Sequence, residues 1–63
     1  MKFHVYKDSA GDYRWRLKAK NGQIVADSGE GYTTLSACKY GIELVLDLGR
    51  ADFDSLVKIP KNL

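Results

Sequence analysis

Very little in this chain of 63 residues is able to staple it together, because it holds one cysteine, one histidine and one proline. A lone Cys38 excludes an intrachain disulfide. One cysteine and one histidine do not assemble a structural zinc site of the usual Cys/His kind. No uninterrupted apolar run approaches the ~20 residues of a membrane span. Residues 1–8 alternate apolar and polar and lack the apolar stretch of a secretory signal, which together with a free thiol predicts a cytoplasmic setting. There is no internal repeat and no low-complexity segment. A catalytic constellation is missing too. Asp and Glu are scattered, and His4, the one candidate general base, would need a nucleophile or carboxylate beside it in a pocket. The expectation is a protein that is not an enzyme and takes no cofactor.

What is present is an ordinary globular composition, 44% hydrophobic and 29% charged, which argues against disorder. The length allows one domain, residues 1–63. Below roughly 70–80 residues a single core rarely supplies more than ~3–5 kcal/mol of net stability. Without a disulfide or a metal, self-association is the remedy left.

Residues 3–8 alternate and read as a strand. Residues 8–12, Asp-Ser-Ala-Gly-Asp, are turn chemistry, with Gly11 able to take positive φ. The cleanest alternation follows. Tyr13, Trp15, Leu17 and Ala19 point one way; Arg14, Arg16, Lys18 and Lys20 point the other. Asn21-Gly22 predicts a two-residue type I′ hairpin turn, in which both central residues need positive φ. Residues 23–28, with Ile24, Val25 and Ala26, return as a third antiparallel strand. Gly29-Glu30-Gly31-Tyr32 then breaks the sheet, and Thr33 or Thr34 caps a helix. Leu35, Cys38, Ile42, Val45 and Leu46 recur at helical spacing, and Lys39, Glu43 and Asp47 mark the wet face. Gly49 is expected to end the helix in the left-handed region. After a connection over residues 51–55, Leu56-Val57-Lys58-Ile59 is a short β-capable run stopped by Pro60. Such a strand must pair with an exposed edge, its own or a neighbour's.

The net charge of +2 hides an asymmetry. Residues 1–20 carry Lys2, Lys7, Arg14, Arg16, Lys18 and Lys20 against Asp8 and Asp12; the remainder has an acidic excess. A basic hairpin is thus joined to a mildly acidic helical half, a field that steers an anionic ligand or a second copy of the chain. Arg14, Arg16, Lys18 and Lys20, with Tyr6 and His4 if they share that face, form the candidate surface for nucleic acid or for another partner. The plainer reading is a charged sheet face that stays in water and discourages edge pairing.

Other features favour structural roles. The Gly29-Glu30-Gly31 loop lacks both the dinucleotide-binding spacing and a P-loop ending, and Glu30 puts negative charge where phosphate would sit; it reads as a turn. Trp15 and Tyr32 read as packing side chains. Cys38 lies near the start of the helix yet on the apolar stripe, where it behaves as a small hydrophobe. Gly41 sits mid-helix at a cost of ~1 kcal/mol relative to Ala, which close approach of another backbone would explain.

Phe3, Tyr6-Lys7-Asp8, Gly11-x-Tyr13-Arg14-Trp15-Arg16-Leu17, Asn21-Gly22, Ser28-Gly29-Glu30-Gly31-Tyr32 and Gly41-Ile42-x-x-Val45 resemble the YegP-like family. These are short bacterial domains of unknown function, found singly or as tandem pairs. The likeness runs to about Val45. It implies an α+β fold, a β-β-β-α-β unit, in which two units share one sheet and exchange C-terminal strands. For a single unit it implies a homodimer, with Leu56, Val57 and Ile59 in the exchanged strand. It brings no catalytic residue, cofactor or substrate. The functional expectation is a non-catalytic binding or assembly module; the alternative is weak, sequence-independent nucleic-acid binding.

Overall fold

Strict alternation from Tyr13 to Lys18 makes that segment the centre of the sheet. The structure, a computed structural model of the chain, describes residues 1–49 and 53–62. β2 (Tyr13–Lys18) lies between β1 (Lys2–Lys7) and β3 (Ile24–Asp27), antiparallel to both. The register puts Phe3 opposite Leu17 and Leu17 opposite Ala26, with Val5 opposite Trp15 in the next row. This is the inner face. Phe3 meets Trp15 edge-on, with ring centroids 5.2 Å apart, the geometry the ring quadrupoles favour.

Helix α1 (Leu35–Leu48) crosses that face and packs on β2. Thr34 caps it, its hydroxyl accepting from the Ala37 N–H at 3.1 Å. The positions turned to the sheet are Cys38 and Gly41, both buried, and Ile42 and Val45, half-buried. They follow the i, i+3, i+4, i+7 spacing of one helical face. Among the described residues, Trp15 and Cys38 are the buried hydrophobic residues of this core. It is narrow.

Four sequence expectations give way to the structure. The Asn21-Gly22 turn is not a two-residue type I′ loop. Gly22 donates to the Ala19 carbonyl, Ala19 donates to the Gln23 carbonyl, and Gly22 alone takes positive φ, at 86°. That is a type I turn over Lys20 and Asn21 followed by a left-handed glycine. The first hairpin uses the same device. Gly11 (φ 84°) donates to Asp8 and Asp8 donates to Asp12. Gly49 does not enter the left-handed region; its φ is −62° and its N–H donates to Leu46. Tyr32, placed after the sheet by sequence, rejoins it through two backbone bonds with Tyr13, at 2.7 and 2.8 Å.

The fourth correction concerns the tail. Residues expected in a connection and a strand instead form a short helix, α2 (Phe53–Leu56). Leu56 ends it, while Val57 and Ile59 follow in irregular backbone and join no strand of this chain's sheet. Ala51 and Asp52 lie outside the described residues. In the single chain a short helix and irregular backbone therefore stand where the resemblance implies an exchanged last strand.

Candidate functional site

The outer sheet face is built by the residues out of phase with the core. Its rows are Lys2 beside Lys18 and Ile24, His4 beside Arg16 and Asp27, and Tyr6 beside Arg14. Every expected strand residue of the candidate surface, His4, Tyr6, Arg14, Arg16 and Lys18, lies on this one face. β3 loses its alternation at a register shift opposite Leu17 and Lys18. Ile24, paired with Lys18, therefore lies on the outer face, and both Ile24 and Val25 are about half exposed.

The cations of this face are not equivalent. Arg14 donates from Nε to Asp8 Oδ2 at 2.6 Å. Asp8 is a junction: its other oxygen accepts from the Ala10 and Asp12 N–H groups. The Arg14 hydrogen bond first, and the Asp12 N–H second, hold the Asp8 carboxyl below the usual carboxylate range. Arg16 lays its guanidinium over the Tyr6 ring, 4.3 Å from the centroid, a cation–π contact that covers one stacking surface of Tyr6. Asp27 sits opposite Arg16 in the register. Both arginines thus have partners within the chain.

The lysines do not. Lys18 and Lys20 join Lys2, His4, Met1, Ala19 and Gly22 around an open concavity of about 520 Å³ at the β2–β3 hairpin end. Among the described residues no Asp or Glu lines it. Lys2, one of the basic residues of the hairpin, joins this face through its phase with His4 and Tyr6. The Asp8–Arg14 pair carries no sequence signal, because its partners lie six positions apart across a hairpin. On the inner face, Lys7 places its ammonium over the Tyr13 ring at 5.1 Å.

The remaining candidates take structural roles. Trp15 is core, and its indole nitrogen finds no acceptor among the described residues. Cys38 is fully buried, and burial pushes its thiol pKa up, away from the reactive thiolate. The Gly29–Gly31 loop is spanned by its own bonds: Gly29 N–H to Asp27 Oδ1, and Ser28 Oγ to the Glu30 carbonyl. A Cβ on Gly31 would lie 2.6 Å from the Asp12 Cβ. Gly41 answers to Tyr32: a side chain there would strike the Tyr32 hydroxyl and lie 2.9 Å from its Cζ. The close neighbour is a ring of the same chain rather than another backbone. Among the described residues no cluster of His, Cys, Asp or Glu is placed to hold a metal. No helix among them is long and apolar enough to cross a membrane.

Residues 8–52, from the Asp8 junction through α1, match the family model described as a domain of unknown function, DUF1508. The chain belongs to the DUF1508 family. This is the family of the YegP-like resemblance. A UPF0339 protein of Neisseria meningitidis is 51% identical over 45 residues, covering 71% of this chain and 79% of that one. A UPF0339 protein of Methanosarcina acetivorans is 52% identical over 44 residues, 70% of this chain and 74% of its own. The relative from Stutzerimonas stutzeri, a UPF0339 protein in the ptx operon 5′ region, is 51% identical over 43 residues. That match covers 68% of this chain but only 38% of the relative. An NMR solution structure of a protein from Haloferax volcanii superposes with a TM-score of 0.75 at 44% identity, covering 92% of this chain and 93% of that one. The DUF1508 fold is therefore shared with archaeal proteins and is not confined to bacteria.

Proposed function

We propose that this DUF1508 chain is a non-catalytic binding and assembly module that works as a homodimer in the cytoplasm, each copy a single unit. The observation carrying this reading is apolar surface left uncovered on contiguous elements. At 100° per residue, Leu44 and Leu48 lie on one flank of the sheet-facing stripe of α1 and Leu35 and Leu46 on the other. All four are exposed, as are Tyr40, Leu56, Val57 and Ile59. A three-stranded sheet is too narrow to cover both flanks of the helix. The shape agrees. The Cα radius of gyration is 13.8 Å, against about 11 Å for a compact domain of this length.

A second copy is the occupant favoured by three things. β1 and β3 are both open edges. The tail offers Leu56, Val57 and Ile59, with 46%, 42% and 63% exposure, to pair across such an edge. The Stutzerimonas relative has more than half its length outside the match, room for a second unit in one chain. Fully burying one such side chain contributes about 1.5–3 kcal/mol before ordering costs. Three or four approach the whole stability of a small domain. The test is sedimentation of the intact chain across micromolar concentrations, alone and with Val57→Asp and Ile59→Asp. A two-chain mass that falls to one in the variants is expected; a one-chain mass throughout sinks the proposal. The alternative, nucleic-acid binding through Arg14, Arg16, Lys18 and Lys20, has less support, since both arginines are engaged within the chain.

A further inference from the structure

We propose that the concavity at the β2–β3 hairpin end is a binding site for a small ligand carrying two or more linked phosphate groups, held by Lys2, Lys18 and Lys20 with His4 beside them. The site goes beyond the assembly reading and does not rest on it, since it lies on the outer face, away from the helix and its apolar flanks.

Three observations converge. The space, about 520 Å³, falls within the ~300–1,000 Å³ of small-ligand sites. Its lining includes Lys2, Lys18 and Lys20 and, among the described residues, no Asp or Glu. Within the sheet Arg14 is paired with Asp8 at 2.6 Å and Arg16 is stacked on the Tyr6 ring. The lysine charge of the face is thus gathered at this end. Ammonium groups bind phosphate as mobile point charges, and several converging on one space suit a ligand with several anionic centres. A nucleic-acid strand fits less well. Single-strand sites need aromatic platforms along the path, and Arg16 already lies over the Tyr6 ring.

The experiment is a titration of the full ¹⁵N-labelled chain with inorganic tripolyphosphate at low ionic strength, read by amide shifts and calorimetry. Orthophosphate and a short thymidine oligonucleotide serve as comparison probes. Saturable binding is expected, with shifts concentrated at Lys2, His4, Lys18, Ala19 and Gly22 and tripolyphosphate bound more tightly than orthophosphate. Lys18→Gln with Lys20→Gln should weaken it about tenfold, the loss of two charge contacts. Should that pair disturb the fold, seen as lost spectral dispersion, Lys2→Gln with Lys20→Gln tests the same site at two exposed positions. Shifts without saturation, or equal affinity in the variants, would overturn the site. Tighter binding of the oligonucleotide, with shifts running on to Arg14 and Arg16, would also overturn it and move the function to nucleic acid.

Discussion

Gly41 and Tyr32 form a lock within one chain, and its consequences are sharp. In an exposed helix Ala is favoured over Gly by about 1 kcal/mol. Here a Cβ would meet the Tyr32 hydroxyl and lie 2.9 Å from Cζ, and overpacking of that kind costs about 1–3 kcal/mol. Gly41→Ala is therefore expected to destabilise the native chain. In a Tyr32→Ala background the same change should stabilise it by about 1 kcal/mol, because only the propensity remains. Urea midpoints at unchanged slope measure both signs. Asp8 carries a second prediction. Its folded carboxyl titrates below the ordinary range, chiefly through the Arg14 hydrogen bond. The stability it contributes is thus fully present above about pH 4 and is lost as the pH falls through the lowered value. Asp8→Asn should lower the melting temperature at neutral pH, with the gap to wild type closing towards about pH 2. A gap independent of pH would refute the junction. Periodicity alone makes Trp15 and Cys38 legible as core residues. The Tyr32–Gly41 contact and the Asp8–Arg14 pair are not legible in that way, because both depend on where two separate elements meet.

At the level of elements, the two hairpins repeat one solution: a type I turn closed by a single left-handed glycine. Gly22→Ala is expected to cost about 1–2 kcal/mol, the penalty of a Cβ in the left-handed region. Asn21→Ala removes only the exposed bond that the Gln23 N–H donates to Asn21 Oδ1, under about 1 kcal/mol. Comparable costs at both positions would restore the two-residue turn. Asn-Gly signals where the chain reverses; the strand twist and pairing register decide how. Strand alternation, the helix stripe and its threonine cap are local properties, which is why β1, β2, β3 and α1 are recoverable from the residues. The tail is not local. Leu56-Val57-Lys58-Ile59 has strand composition, yet a strand exists only where an edge receives it. Within a single chain the tail takes a short helix and irregular backbone instead.

For the whole molecule, the proposed homodimer ties the stability of the chain to its own concentration. Binding that favours the folded pair raises the melting temperature by mass action. The transition of the intact chain should therefore rise steadily from about 1 to about 100 µM. Trp15, the single tryptophan, is 6% exposed in the core and reports the transition by fluorescence. Joining two copies through a flexible linker makes the second contact intramolecular, at an effective concentration near the millimolar range. The linked chain should melt higher than the single one at every concentration tested, and its melting temperature should no longer depend on concentration. The length of the Stutzerimonas relative beyond its matched part is what such a linked pair requires. A single chain that already melts independently of concentration would show that α1 and the tail need no partner copy, and their exposed side chains would then have to be assigned to a different protein surface.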